Sequence, residues 1–315
     1  MCRSFYFFIL VMLMTVCITC QKQPDAPAMT MTTVLRDFPM ESARTVTIYL
    51  YGTGSVTIDW GDKNRETHTL NSLLDDYWWY SDNYKYSHVY SVSSTYTIRI
   101  EGENIMYMNC EGNSLTSLNV SENIRLVGLQ CFFNDLTSLD VSNNTRLTFL
   151  DCVHNELTDL LIGNNTILKE LACYGNHLTS LDVSKNTVLT VLECSENQLT
   201  SLDVKKNTML EVLNFYGNQL TTLDVSKNTK LRLLGCYGNQ LTSLDVSANT
   251  ALKTLWCAEN LLTADELDAL FKTLHSNEVV GVGGKTLLID PNPGADDCTR
   301  SIALEKGWQI MDPLN

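Results

Sequence analysis

Apolar residues recur through half of the chain at a fixed interval. Leu115, Leu136, Leu157, Leu178, Leu199, Leu220, Leu241 and Leu262 stand 21 residues apart. One asparagine column keeps the same interval through Asn113, Asn134, Asn155, Asn176, Asn197, Asn218, Asn239 and Asn260. Another runs through Asn123, Asn144, Asn165, Asn186, Asn207, Asn228 and Asn249. Each unit divides into halves such as "LTSLDVSKNT" and "VLTVLECSENQ", both built on L-x-x-L-x-(V/C)-x-x-N. The alternation predicts a short strand in each half, followed by a polar turn. A single unit cannot bury its leucines, whereas stacked units share one core. Coils about 4.8 Å apart would make the repeat a rod of roughly 35–40 Å. The asparagines read as scaffold, because their amides can satisfy the backbone groups that tight turns leave unpaired.

The flanks follow other patterns. Within residues 31–104, "TVTIYLYG", "SVTIDWGD", "YKYSHVYS" and "TYTIRIEG" alternate apolar and polar positions between turns, which predicts antiparallel strands. After the last coil, Thr263 and Glu266 form a capping box, and Leu267, Leu270, Phe271 and Leu274 keep helical spacing. "TLLIDPNPG" predicts a strand and turn, "ADDCTRSIALEK" a second helix and "GWQIM" a final strand. Residues 263–315 therefore read as a cap over leucines that the terminal coil would otherwise expose. At the other end, "MCRSFYFFILVMLMTVCITC" places Arg3 before an apolar run ending in cysteine, and the polar "QKQPDAPAMT" follows.

Three resemblances rest on these residues. The 21-residue units at 105–262 resemble the leucine-rich repeats abundant in surface proteins of Bacteroidetes, with "LTSLDVSKNT" as the most recognisable phrase. "VTIDWGD" at 56–62, "YSHVY" at 86–90 and "TYTIRI" at 95–100 resemble a polycystic-kidney-disease (PKD)-like β-sandwich; Lys63 stands where that family usually carries glycine. The N-terminus resembles a bacterial lipoprotein signal, which implies a signal peptide at 1–19, lipid on Cys20 and a tether at 20–30. The expected architecture is mostly β: a PKD-like sandwich at 31–104, a leucine-rich repeat solenoid and a C-terminal α/β cap. No linker separates sandwich from repeats, so the junction is expected to be rigid, with the sandwich covering the first coil.

Charge narrows the partners. The formal net charge is −14 and no basic cluster interrupts it. Phosphate backbones are bound by clustered Lys and Arg, so nucleic acid is excluded as a partner. Membrane contact is expected through the N-terminal lipid only, in the envelope as an outer-membrane lipoprotein.

The candidates for chemistry mostly dissolve into scaffold. Cys110, Cys131, Cys152, Cys173, Cys194, Cys236 and Cys257 form a column on the repeat interval, with Phe215 in the remaining slot. In-register side chains keep Cβ atoms near the coil spacing of about 4.8 Å rather than the ~3.8 Å of a disulfide. A single file cannot converge on a tetrahedral metal. A phenylalanine in the column fits a hydrophobic core, where free cysteine also belongs. "GVGGKT" at 281–286 fails as a phosphate loop, because its first glycine would fall on Val279 and a strand follows. His154 and His177, with Asp151 and Glu156, read as polar residues on a solvated face. So does the column Asp140, Asp182, Asp203, Asp224 and Asp245, which offers too few oxygens per coil for calcium. No catalytic motif occurs, so no enzyme, cofactor or metal site is expected.

What varies within the repeat lies beside the cysteine. Tyr107 and Phe149 stand three residues before it, Trp256 one before, and Phe132, Tyr174, Tyr216 and Tyr237 one after. These positions are expected to point outward from one sheet. The aromatics either anchor a partner or merely cover neighbouring coils. Trp78 and Trp79 are a second candidate binding loop, or pack on the sandwich and first coil. The expected function is non-catalytic binding of a protein partner in the cell envelope. Alternatives are glycan capture beside a polysaccharide-uptake system, and a spacer or adhesion stalk.

Overall fold

The computed structural model describes residues 26–35, 44–72, 82–277 and 284–311. Cys20, Trp78 and Trp79 lie outside them. Strands β1 (Ala28–Val34), β2 (Thr45–Gly52), β3 (Ser55–Asp59), β4 (Arg65–Thr69), β5 (Lys85–Val89) and β6 (Thr95–Glu101) open the chain. All of their mutual pairings are antiparallel, as the alternation predicts. Two strands depart from the sequence reading. β1 takes in Ala28 to Thr30, residues that the sequence assigns to a tether, because Ala28 to Val34 pair with β6 along their whole length. β4, "RETHT", has no apolar alternation and is held by its register with β3.

The repeats then build a ladder. β7 (Ile105–Asn109) pairs parallel with β9 (Gly128–Gln130), and the ladder continues through β10 (Phe149–Asp151) and β11 (Glu170–Ala172). It goes on through β12 (Val191–Glu193), β13 (Val212–Asn214), β14 (Leu233–Gly235) and β15 (Thr254–Trp256). The architecture is mostly β, a β-solenoid with few helices.

The other half-unit behaves differently. A strand is expected in each "LTSLDVS" segment, but only the first, β8 (Leu115–Asn119), forms one. β8 has a partner in β1, whose Thr30–Thr33 pair with it. The later copies show at most the single bridge Asp140–Leu161. In β8 and in the later copies alike, the amide N–H of the column leucine is taken by an asparagine side chain of the next coil. Leu178 N–H donates to Asn197 Oδ1 at 2.9 Å, and Leu199 N–H to Asn218 Oδ1 at 2.9 Å. That bond is common to β8 and the later copies, so it is the pairing with β1 that makes β8 a strand. The Asp column serves the turn at the other end of this half-unit: Asp182, Asp203, Asp224 and Asp245 each accept the N–H two residues on.

The cap closes the far end. α1 (Ala264–Thr273) begins where Thr263 accepts the Glu266 N–H, as the capping box predicts. β16 (Lys285–Leu288) pairs parallel with β15, and β17 (Trp308–Ile310) with β16. The second helix, α2 (Ser301–Glu305), is shorter than the sequence implies. Lys285, the lysine of "GVGGKT", is buried, and its Nζ donates to the carbonyls of His275, Asn277 and Lys306. It fastens the cap; residues 281–283 of that motif lie outside the described part.

At the N-terminal end β2 pairs antiparallel with β7, so the early strands continue the solenoid sheet. One apolar cluster runs unbroken from Met29 and Ile48 through the column leucines to Leu287 and Trp308. All seven column cysteines are buried and free, and Phe215 is buried among them. Burial pushes every one of these thiols above its ordinary range, Cys194 up to about 12. They are therefore neutral at physiological pH and poor nucleophiles or ligands.

Candidate partner-binding face

The β7–β15 sheet presents three outward columns, at three and one residues before the cysteine slot and one after it. Parallel pairing puts Tyr107 beside Gly128 and Gly128 beside Phe149. It also aligns Asp151, Ala172, Glu193, Asn214, Gly235 and Trp256. Ladder bonds continue past the cysteines, from Gly175 N–H to Ser195 O and from Glu196 N–H to Tyr216 O. The position after the cysteine is therefore in register too.

The predicted aromatics do not form one stripe. Tyr107 belongs with the early strands: its ring lies over Gly128 and meets Tyr51 edge-on, centroids 5.5 Å apart. Trp256 lies over Gly235, where an added Cβ would come 3.6 Å from the indole. Phe149 is half-buried beside Gly128. Tyr107 and Trp256 thus cover bare backbone in neighbouring coils. Phe132, Tyr174, Tyr216 and Tyr237 make two groups in the column after the cysteine. Tyr216 and Tyr237 stack almost parallel, centroids 4.5 Å apart and planes 6° apart. Phe132 meets Phe133, Phe133 stacks on His154 at 4.8 Å, and His154 meets Tyr174 edge-on at 5.0 Å.

That column was expected to point outward throughout, and the smaller members do not. Val153, Ser195 and Ala258 are buried, because the larger side chains in adjacent coils shade them. Phe133 was not anticipated as a surface aromatic, yet it is 57% exposed. It occupies a further column, two residues after the cysteine, whose members all have positive φ: Gly112, Phe133, His154, Gly175, Glu196, Gly217, Gly238 and Glu259. The signal was present in the sequence, since glycine fills four of these eight positions and glycine favours that conformation. His177 pairs with Glu156 at 2.6 Å on the exposed surface, apart from His154. No cluster of metal-ligating side chains occurs among the described residues.

Carboxylates accompany the tyrosines. Burial raises Asp151 to about 6, against the lowering effect of the Val153 N–H that it accepts, with Glu111 and Glu193 adding to the rise. A carboxyl with a raised folded-state pKa favours folding below its unfolded value near ~4, and loses that contribution as pH rises through about 6. Asp151→Asn keeps an acceptor for Val153 and removes the charge. It is expected to raise stability at pH 7.5 by about 1–2 kcal/mol and to change nothing at pH 4. Equal gains at both pH values in urea unfolding would reject the assignment.

No protein-family model and no curated protein matches the chain. Solved structures do. The functional domain of InlJ from Listeria monocytogenes, which includes a cysteine ladder, is 34% identical with a TM-score of 0.56. The match covers 68% of this chain and 50% of that one, so this chain spans half the length of that relative. An internalin, InlF, of the same organism is 21% identical over 62% of this chain and 63% of its own, with a TM-score of 0.49. A leucine-rich repeat protein of Leptospira interrogans is 24% identical over 61% and 62%, with a TM-score of 0.41. This chain is thus a mostly β solenoid whose structural neighbours are leucine-rich repeat proteins, and whose cysteine column has a counterpart in one of them.

Proposed function

We propose that this protein is a non-catalytic binding protein of the cell envelope, and that it recognises a protein partner through the β10–β15 face. The Tyr216–Tyr237 stack carries this reading: two rings held parallel in adjacent coils and only half-buried. A rigid aromatic pair offers contact area at little entropic cost, which suits a protein interface. An interaction or adhesion role is also what the internalin-like neighbours favour. Replacing Tyr216, Tyr237 and Trp256 together with alanine is expected to abolish capture on a protein array. Unchanged binding to both protein and glycan arrays would remove the face assignment. Loss on glycans alone would favour glycan capture, since an exposed tyrosine ring can also stack on a sugar.

The remaining parts of the proposal concern placement. Lipid on Cys20 would hold the protein to the outer membrane; palmitate labelling that persists after Cys20→Ala would sink that assignment. The early strands would be a PKD-like sandwich, and the repeats would be the 21-residue leucine-rich type of Bacteroidetes surface proteins. In its turn, buried Trp60 receives the Tyr90 hydroxyl on its carbonyl, and His88 stacks on its ring. Lys63, at the usual glycine position, has φ +77, the conformation that a glycine would supply.

A further inference from the structure

We infer that the basic turns leading into the sheet strands rest the solenoid edge-on against an anionic lipid surface, with Ile167, Val188 and Met209 entering its apolar margin. This edge is separate from the proposed partner-binding face, and the inference stands without it.

All ten basic residues of 105–262 fall in the seven-residue turns at 121–127, 142–148, 163–169, 184–190, 205–211, 226–232 and 247–253. Only Glu122 and Glu211, of sixteen carboxylates in the same span, share those turns. The basic residues stand one to three per coil, so no basic run marks them along the chain; the fold gathers them. Asn144, Asn165 and Asn186 each donate Nδ2 to the carbonyl of the matching asparagine one coil earlier, at 2.8, 2.9 and 2.9 Å. The amides of Lys169, Thr190, Glu211 and Arg232 carry the same coil-to-coil bonding into the sheet. The turns therefore stack in register, and seven of them span roughly 29 Å at the usual strand spacing. The bordering Asp column engages Lys205, which pairs with Asp224 at 3.2 Å, and Arg232 pairs with Glu211 at 3.6 Å. Arg125, Arg146, Lys169, Lys185, Lys206 and Lys227 are exposed, with no carboxylate at ion-pair distance among the described residues.

The apolar residues on this edge decide what kind of anion it meets. In the column two residues after the turn asparagine, Arg146 is followed by Ile167, Val188 and Met209 in consecutive coils, and then by Lys230. The three are 46%, 38% and 39% exposed, and Lys230 Nζ lies 3.2 Å from Met209 Sδ. Aliphatic side chains on turn tips gain nothing from a phosphate backbone or an acidic polysaccharide. Beneath anionic headgroups they meet acyl chains, while the long basic stems lie along them and keep their charges at the phosphates. The far side of the coil has the opposite sign. Glu111, Asp135, Glu156, Glu196 and Glu259 stand on the turns after the cysteine column, beyond the other end of the sheet strands. A surface of negative potential orients such a coil with its basic turns down. The Tyr216–Tyr237 face then stands side-on to the lipid, open to a partner.

The test mixes the full chain with vesicles of phosphatidylcholine alone, or of equal parts phosphatidylcholine and phosphatidylglycerol. Lysines are acetylated briefly and each site is read by mass spectrometry. On the anionic vesicles Lys169, Lys185, Lys206 and Lys227 are expected to react about fivefold more slowly than on the neutral ones. Lys63 and Lys85, exposed among the early strands, should react equally on both. High salt should remove the protection. Lys185→Gln, Lys206→Gln and Lys227→Gln together should abolish it at Lys169. Val188→Ser with Met209→Ser should about halve it with every charge in place. All five side chains are exposed, so both variants should fold. Equal reactivity on the two vesicles, or equal protection of Lys63 and Lys85, would overturn the inference. Protection untouched by the serine pair would overturn it in favour of a soluble polyanion. Protection that grows with protein concentration in the absence of vesicles would overturn it in favour of the acidic turns of a second copy.

Discussion

Exchanging Asn197 for aspartate alters a single group and is expected to cost about 3–5 kcal/mol at neutral pH. Asn197 is buried, and its Nδ2 donates to the carbonyls of Cys173, Cys194 and Ser195 at 3.1, 3.2 and 3.0 Å. Its Oδ1 accepts the Leu178 N–H at 2.9 Å. The amide therefore ties its own coil to the one before. Aspartate keeps the shape and the Oδ1 bond but turns a donor into a second anionic oxygen facing three carbonyls. Burial and those acceptors will hold the new carboxyl's pKa above its unfolded value, so the penalty is greatest at high pH and shrinks as pH falls through that raised value. Urea unfolding at pH 7.5 and pH 4 checks both the size and the direction. A loss below about 1 kcal/mol, or one that does not vary with pH, would mean that the column is decorative. Asn207 offers the internal contrast. Its Nδ2 donates to two carbonyls while its Oδ1 has no protein partner, so the two columns are not equivalent despite identical periodicity.

Periodicity made the solenoid legible because every coil repeats the same burial: Leu178, Leu192 and Cys194 go inward for the same reason as Leu199, Leu213 and Phe215. It was less informative where tertiary partners choose between equal local sequences. "LTSLN" at Leu115–Asn119 is a strand because β1 lies beside it, whereas nearly the same phrase at 178–182 is not. β4 has no sequence signature because neither of its faces is apolar, and its strand state follows from pairing with β3. For the binding face, the columns could be read but the shading between them could not. Outwardness was assigned by position, and burial of Ser195 depends on what stands one coil above and below. The left-handed column shows the opposite case, a backbone conformation signalled in the sequence by recurrent glycine.

Phe215→Ala is expected to cost about 3–5 kcal/mol, the usual range for emptying a buried aromatic site. Phe215 has no exposed surface and sits between the Cys194 and Cys236 coils, so neighbouring side chains are too short to fill the space. Cys194→Val, close in volume and equally apolar, should cost less than about 1.5 kcal/mol. The informative member of the set is Phe215→Cys, which completes an unbroken column of eight cysteines. If the column were a metal or redox ladder, completing it would preserve or raise stability, and the gain would disappear with chelator or reductant. If it is core, Phe215→Cys should lose about 2–4 kcal/mol and respond to neither reagent, because a thiol leaves most of the ring's volume empty. The raised thiol pKa values favour the second outcome, since a neutral buried thiol neither attacks a disulfide nor coordinates a metal readily. Calorimetry of the three variants with and without reductant separates these accounts, and a stabilised Phe215→Cys would overturn the reading of the column as packing.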